Sequence, residues 1–238
     1  MAPWIVLLCA IVVFPVLFFI PAPYGRHLRA GFGPTMPSRL GWFLMEAVSV
    51  FVFVWAFWTM SPFRDQPAAQ WLGALWLLHY LHRAFVFPFL MRDQGKRKPI
   101  LTVALAIGFN TLNALGNGAA LAPRTVDLKV VLGVALFLTG FAINVHSDAV
   151  LRRLRKPGET GYAIPYGGLY RWVSCPNYLG ELLEWIGFAL AAWTFPAFAF
   201  AVFTFANLFP RAVAHHRWYR EKFPDYPPGR HAVFPFVL

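Results

Sequence analysis

The chain has 238 residues, 58% of them hydrophobic, and carries 21 Lys and Arg against 10 Asp and Glu, a net charge of +11. An apolar share above that of an ordinary soluble domain points to an integral membrane protein, and basic residues scattered in short clusters between apolar runs argue against nucleic-acid binding, which wants one continuous basic face. Cys9 and Cys175 lie far apart with no CxxC between them, against both a disulfide framework and a zinc site, so no metal is expected.

Apolar runs long enough to span a bilayer, which takes about 20 residues, occur at about 3–21, 42–61, 68–90, 99–121, 128–151, 178–194 and 196–214. The first has no basic n-region and no clear cleavage site, so it reads as a retained span. The last two are interrupted only at Thr194-Phe195-Pro196 and form either a tight hairpin or one broken helix. Most Lys and Arg fall in the segments 22–41, 91–98, 152–177 and the tail from Arg211, while Arg64, Arg124 and, at the edge of the fifth span, Lys129 fall on the opposite side and Arg83 lies within a span. The basic side is the cytosolic side, which places the N-terminus outside or in the lumen and the C-terminus in the cytosol after seven spans. With no internal repeat and no alternating strand pattern, one all-α, seven-helix membrane domain is expected over residues 1–238.

Polar residues interrupt these spans in helical register. In the second, Trp42 and Glu46 are four residues apart on one face, and a carboxyl there can donate a hydrogen bond when it carries its proton. In the third, HYLHRAF sets Tyr80 three residues before Arg83, with His79 and His82 beside them. A phenol near a cation can give a proton to a substrate oxygen, whereas the histidines lack the spacing of metal ligands.

The fourth span carries Asn110, Asn113 and Asn117 as a stripe suited either to an amide- or sugar-bearing ligand or to interhelical hydrogen bonding. The fifth places Asn144, Asp148 and Arg155 on one face and runs into a basic end before Pro157-Gly158, which suits a phosphate-bearing ligand as well as lipid headgroups. The stretch Tyr162 to Trp185 passes through a turn-rich loop and Cys175-Pro176-Asn177 into a helix where Asn177, Glu181 and Glu184 share a face. Ionisable groups at membrane depth usually line a protein interior or a wet cavity. Arg211, His215 and Tyr219 form the final stripe, followed by a proline-rich tail from Pro224 that reads as a cap over a cytosolic opening. No P-loop, GxGxxG after a strand, HExxH or GxSxG is present, so a bound nucleotide would not sit in a Rossmann crevice.

The stretches WFLMEA, HYLHRAFVFP, NVHSD with LRRLRKPGE, YAIPYGGLYRWVSCPNYLGELLEWIGFALAAW and RAVAHHRWYREKFPDYPPGRHAVFPF occur in the order found in the steroid 5-alpha-reductase family, which residues 40–238 resemble. The composition has a bacterial look, so a prokaryotic-type member in an inner membrane, or one in endoplasmic reticulum, is expected. The resemblance implies a seven-span NADPH-dependent reductase whose cofactor cavity opens to the cytosol. It implies that Glu46 and Tyr80 contact the 3-keto oxygen of a steroid in a pocket shaped by Trp42. It assigns Asn144, Asp148, Arg155, Tyr162, Asn177, Glu181, Arg211, His215 and Tyr219 to NADPH; Asn113, kept with them, and Glu184 match the pattern less closely.

Ala163 stands where animal steroid enzymes usually have Arg, so one phosphate contact is either missing or replaced by Arg171. Met45 stands where glutamine is familiar, which leaves the substrate preference open. Expected partners are a sterol-like lipid substrate and the membrane lipids, with no obligate protein partner. Three other readings remain: a reductase of an enoyl-thioester or polyprenol-type lipid, a membrane methyltransferase using S-adenosylmethionine, and a lipid carrier.

Overall fold

The computed structural model describes residues 1–23, 25–28, 31–92, 95–122, 124–154 and 161–236. Its helices are α1 (Ala2–Phe19), α2 (Ser38–Met60), α3 (Pro67–Leu81), α4 (Phe87–Leu90), α5 (Ile100–Ala120), α6 (Leu128–Arg153), α7 (Pro176–Ala192) and α8 (Phe195–Lys222). By length and composition α1, α2, α5, α6 and α8 can each cross a membrane, and the chain is a membrane protein with five such candidate spans.

The other two expected spans fall short for local reasons. The run at 68–90 is helical throughout but is not one α-helix, because residues His82–Val86 form a π-helical turn between α3 and α4. Pro88 has no N–H to give and its ring crowds the carbonyl four residues back; the amide of Phe87 bonds instead to the His82 carbonyl, five residues back. The run at 178–194 begins earlier, with Pro176 in the first turn where a missing N–H costs nothing, and α7 has only 17 residues.

Trp193 takes a left-handed conformation (φ 50°) that ends α7, and the Thr194 hydroxyl accepts from the Ala197 amide to start α8. The two helices then fold back on each other. Trp185 meets Phe200 at 4.4 Å between ring centroids, and Tyr178 accepts from Arg211 Nη2 at 2.9 Å. The interruption at 194–196 is therefore a hairpin.

A small β element departs from the all-α expectation. β1 (Thr35–Pro37) and β2 (Arg97–Pro99) pair antiparallel, with Met36 opposite Lys98, and tie the segment before α2 to the segment before α5. Three-residue strands carry too little alternation to be visible in a sequence. The tail also docks by backbone: His231 bonds to Trp172, and the amides of Ser174 and Cys175 bond to the His231 and Ala232 carbonyls. It braces the entry to α7.

The main helix pairs are α6 with α7, α2 with α5 and α1 with α8. Apolar side chains gain little by leaving lipid for protein, so close backbone approach and packing hold such pairs. Gly133 and Gly140 on α6 face Gly187 and Gly180 on α7 so tightly that a β-carbon on any of the four would lie about 2.5 Å from backbone atoms of the other helix. An aromatic cluster of Phe53, Trp76, Trp185, Phe188 and Phe200 fills the space among α2, α3, α7 and α8.

Candidate active site

The site is assembled from helices that enter a common interior. From α2, Trp42 and Glu46 present one face; from α3 and the π turn come His79, Tyr80 and Arg83. Tyr80 is buried against Trp76 and Trp185. Glu46 is partly buried, with Arg83, Glu181 and Lys98 as its charged neighbours, and it acts in turn on Tyr80.

Arg83 is the centre of the arrangement. Its guanidinium lies 4.9 Å from the Trp42 ring and 4.5 Å from Phe87, while its own carbonyl accepts from the Trp42 indole at 3.2 Å. Arg83 Nη1 donates to Asp148 at 3.0 Å and Nη2 lies 3.8 Å from Glu181. Buried charges of this kind persist when paired and hydrogen-bonded, and here the pairing continues across three elements. Asn177 Nδ2 donates to the other oxygen of Asp148 at 3.1 Å, and Asn144 Nδ2 donates to the Asn177 carbonyl at 3.0 Å and to Glu181 at 3.5 Å. The glycine contact between α6 and α7 is what brings Asn144 and Asp148 within reach of Asn177 and Glu181.

A second group lies around the Arg211, His215 and Tyr219 stripe of α8. Arg211 donates to Asn207 and Tyr178, Tyr178 meets His215 at 3.2 Å, and His215 meets His27 at 3.0 Å with the imidazoles stacked. Arg26 lies against the rings of Tyr162, Trp218 and Tyr219 and donates to the Tyr219 hydroxyl at 3.4 Å. Lys96 donates to Tyr162 at 3.4 Å. Arg26, Lys96, Tyr162 and Tyr219, with Arg92, Arg152 and Asp148, line a cavity of about 190 Å³, whereas His27, Arg211 and His215 line a separate, much smaller one. A larger cavity of about 660 Å³ opens beyond α6, past His146, Gly168 and Arg171, and touches none of the groups around Arg83.

The expected residues are thus partly gathered and partly not. Trp42, Glu46, Tyr80, Asn144, Asp148, Asn177 and Glu181 converge on Arg83; Tyr162, Arg211, His215 and Tyr219 form the adjoining group. Arg171 is exposed, stacks on Trp172 and lines the separate large cavity. Asn113 is buried in α5, where its carbonyl and side-chain oxygen both accept from Asn117. Glu184 pairs with His79 at 2.6 Å. Arg155 lies outside the described residues.

In the sequence Arg83 reads only as a cation near Tyr80, although its position three residues on is the available signal. Arg26, His27, Tyr178 and Lys98 were missed. The first two sit in a short 3-10 turn between α1 and α2, Tyr178 hides beside Asn177, and Lys98 sits in a run of basic residues that looks solvated.

A family model for 3-oxo-5-alpha-steroid 4-dehydrogenase matches residues 96–238. The chain is also 42% identical over 242 residues to 3-oxo-5-alpha-steroid 4-dehydrogenase 1 of Bos taurus, covering 96% of this chain and 92% of that protein. It belongs to the 3-oxo-5-alpha-steroid 4-dehydrogenase family.

Identity is 43% over 223 residues to the Homo sapiens protein of the same name, covering 90% of this chain and 86% of that one. It is 40% over 239 residues to steroid 5-alpha-reductase DET2 of Arabidopsis thaliana, with 93% and 90% covered. As a member of the 3-oxo-5-alpha-steroid 4-dehydrogenase family the chain is an oxidoreductase, which takes support from the methyltransferase and carrier readings. The likeness extends further than residues 40–238. These mammalian and plant relatives lend no support to a prokaryotic-type assignment.

Proposed function

We propose that this protein, acting as one membrane-embedded domain over residues 1–238, reduces the 4,5 double bond of a 3-oxo-4-ene steroid with NADPH, giving the 5-alpha-3-oxosteroid. The observation that carries this reading is the continuous polar connection from the Trp42 and Glu46 face, through Arg83, to Asp148, Asn177, Asn144 and Glu181. A family of steroid dehydrogenases needs two adjoining pockets, and this connection joins two differently equipped regions.

The basic cavity suits a dinucleotide phosphate in charge. Arg26, Arg92, Lys96 and Arg152 converge on it, and Arg26 Nη1 is buried with no hydrogen-bond partner among the described residues. An orphaned guanidinium N–H is costly unless an acceptor arrives, and a phosphate oxygen is such an acceptor. In size the cavity fits the phosphate-bearing part; a whole ligand of this class fills roughly 300–1,000 Å³. Asn144, Asp148, Asn177, Glu181, Arg211, His215, Tyr219 and Tyr162 would hold the remainder, with Arg155, Asn113 and Arg171 as further candidates.

When bound, NADPH supplies the hydride that adds to C5 of the substrate. Trp42 walls the pocket, and Tyr80 with a protonated Glu46 donates to the C3 oxygen as negative charge grows there, the role of an oxyanion hole. Arg83 keeps Trp42 in place and adds positive potential behind Glu46. Proton uptake at C4 completes the saturated ketone. A second reading, reduction of another unsaturated lipid, keeps the same network and is favoured by Met45 on the substrate face.

Seven crossings with the cytosolic ends at the basic cavity accord with Arg26, Arg92, Lys96 and Arg152 all coming from the basic segments. The lipid-dissolved substrate would then enter from the bilayer and the charged cofactor from the cytosol. The test is NADPH oxidation by the purified full chain in detergent with progesterone or testosterone, followed by product mass and configuration. A product heavier by two hydrogens in the 5-alpha series is expected. NADPH binding without steroid turnover would move the substrate to another unsaturated lipid, and no NADPH binding would overturn the reading.

A further inference from the structure

Lys98 is 1% exposed, the most enclosed cation among the described residues. The β ribbon puts it there. Arg97 points to solvent and bonds the Thr35 hydroxyl and carbonyl, so the alternation of a strand turns Lys98 inward, opposite Met36. Its ammonium lies 4.4 Å from the Trp42 ring and 3.7 Å from the Met45 sulfur. Trp42, Met45 and Glu46 are one face of α2, and the charged groups acting on Lys98 are Glu46 from α2, Arg83 from the π turn and Arg211 from α8.

An ammonium is costly to bury unless it is paired, and Glu46 is the acidic group that acts on this one. A methionine at this position would fill the same space against Trp42 and Met45 without that cost, so packing alone does not account for the choice of residue.

We propose that Lys98 is a specificity-determining residue of the substrate pocket, reading together with Glu46 the oxygen-bearing end of the substrate. This rests on the assignment of the Trp42 and Glu46 face to the substrate. Burial pushes the Lys98 ammonium down to about 7, with Glu46 opposing the shift and Arg211 and Arg83 adding to it. Near neutral pH a large share of Lys98 therefore carries its proton and can donate to a carbonyl oxygen. A charge-assisted hydrogen bond of that kind is worth roughly tenfold in affinity.

The experiment is equilibrium binding of progesterone, and of the matched steroid lacking only the C3 oxygen, to the full chain in detergent with NADP+ present so that no turnover occurs. Lys98→Met is expected to weaken progesterone about tenfold and to leave the deoxy steroid unchanged. Lys98→Gln, a neutral donor, should recover part of the loss. Equal losses for both steroids would mark a packing role, and no loss for either, or a native protein that does not prefer progesterone, would likewise overturn the proposal. Failure of the reductase assignment would appear separately, as absent NADPH oxidation by the native chain, and the binding comparison does not depend on it.

Discussion

Glu46 and Tyr80 approach one place from different helices, whereas Asn177 lies on the far side of Arg83. Their substitutions should therefore separate. Glu46→Gln and Tyr80→Phe should each cut steroid turnover about 100-fold, the usual cost of an oxyanion donor, while titration of NADPH fluorescence shows cofactor affinity little changed. Asn177→Ala should weaken NADPH binding first, because it removes the bond that orients Asp148. Lys98 adds a pH signature. The ammonium is the donor and titrates at about 7, so its part of steroid affinity should be full below that value and fall as pH rises through it. The same titration on Lys98→Met should lack that step. Glu46, Tyr80 and Asp148 were visible in the sequence because a polar group in an apolar run stands out. Lys98 and Arg26 were not, since a lysine or arginine in a basic loop looks solvated until the loop is folded inward.

Helix geometry shows the same division. The five long apolar helices lie close to where hydropathy puts them, because an apolar run of that length has few other conformations in lipid. The π turn at His82–Val86 was hidden. Pro88 lies inside a run that reads as one span, and hydropathy carries no sign that the chain yields there through a five-residue bond. The α6–α7 contact was hidden too, although its glycines recur seven residues apart on each helix. Gly140→Val or Gly180→Val would force these backbones apart, at a cost of about 1–3 kcal/mol. Both stability in a detergent melt and NADPH affinity should fall together, since the bond from Asn144 to Asn177 crosses that seam. A valine at Gly108, with open space around it, should change neither and serves as the control.

For the molecule as a whole, the basic segments meet at one end of the bundle around the Arg26 and Arg152 cavity, and seven crossings would put that end in the cytosol. Reporter fusions should accordingly be active outside the cytosol at residue 1 and inside it at residue 238; both ends on one side would contradict an odd number of spans. Arg83 has a consequence at this scale. One guanidinium rests on the Trp42 ring with one face and holds Asp148 and Glu181 with its nitrogens. On the proposed assignment, a ligand that tightened either contact would change the state the other ligand meets, so the two sites would be thermodynamically linked. Whatever factor saturating NADP+ applies to steroid affinity, saturating steroid must apply to NADP+. Measured both ways in the native chain, the two factors should agree and differ from one; in Arg83→Met they should both approach one, leaving two neighbouring pockets that no longer report on each other.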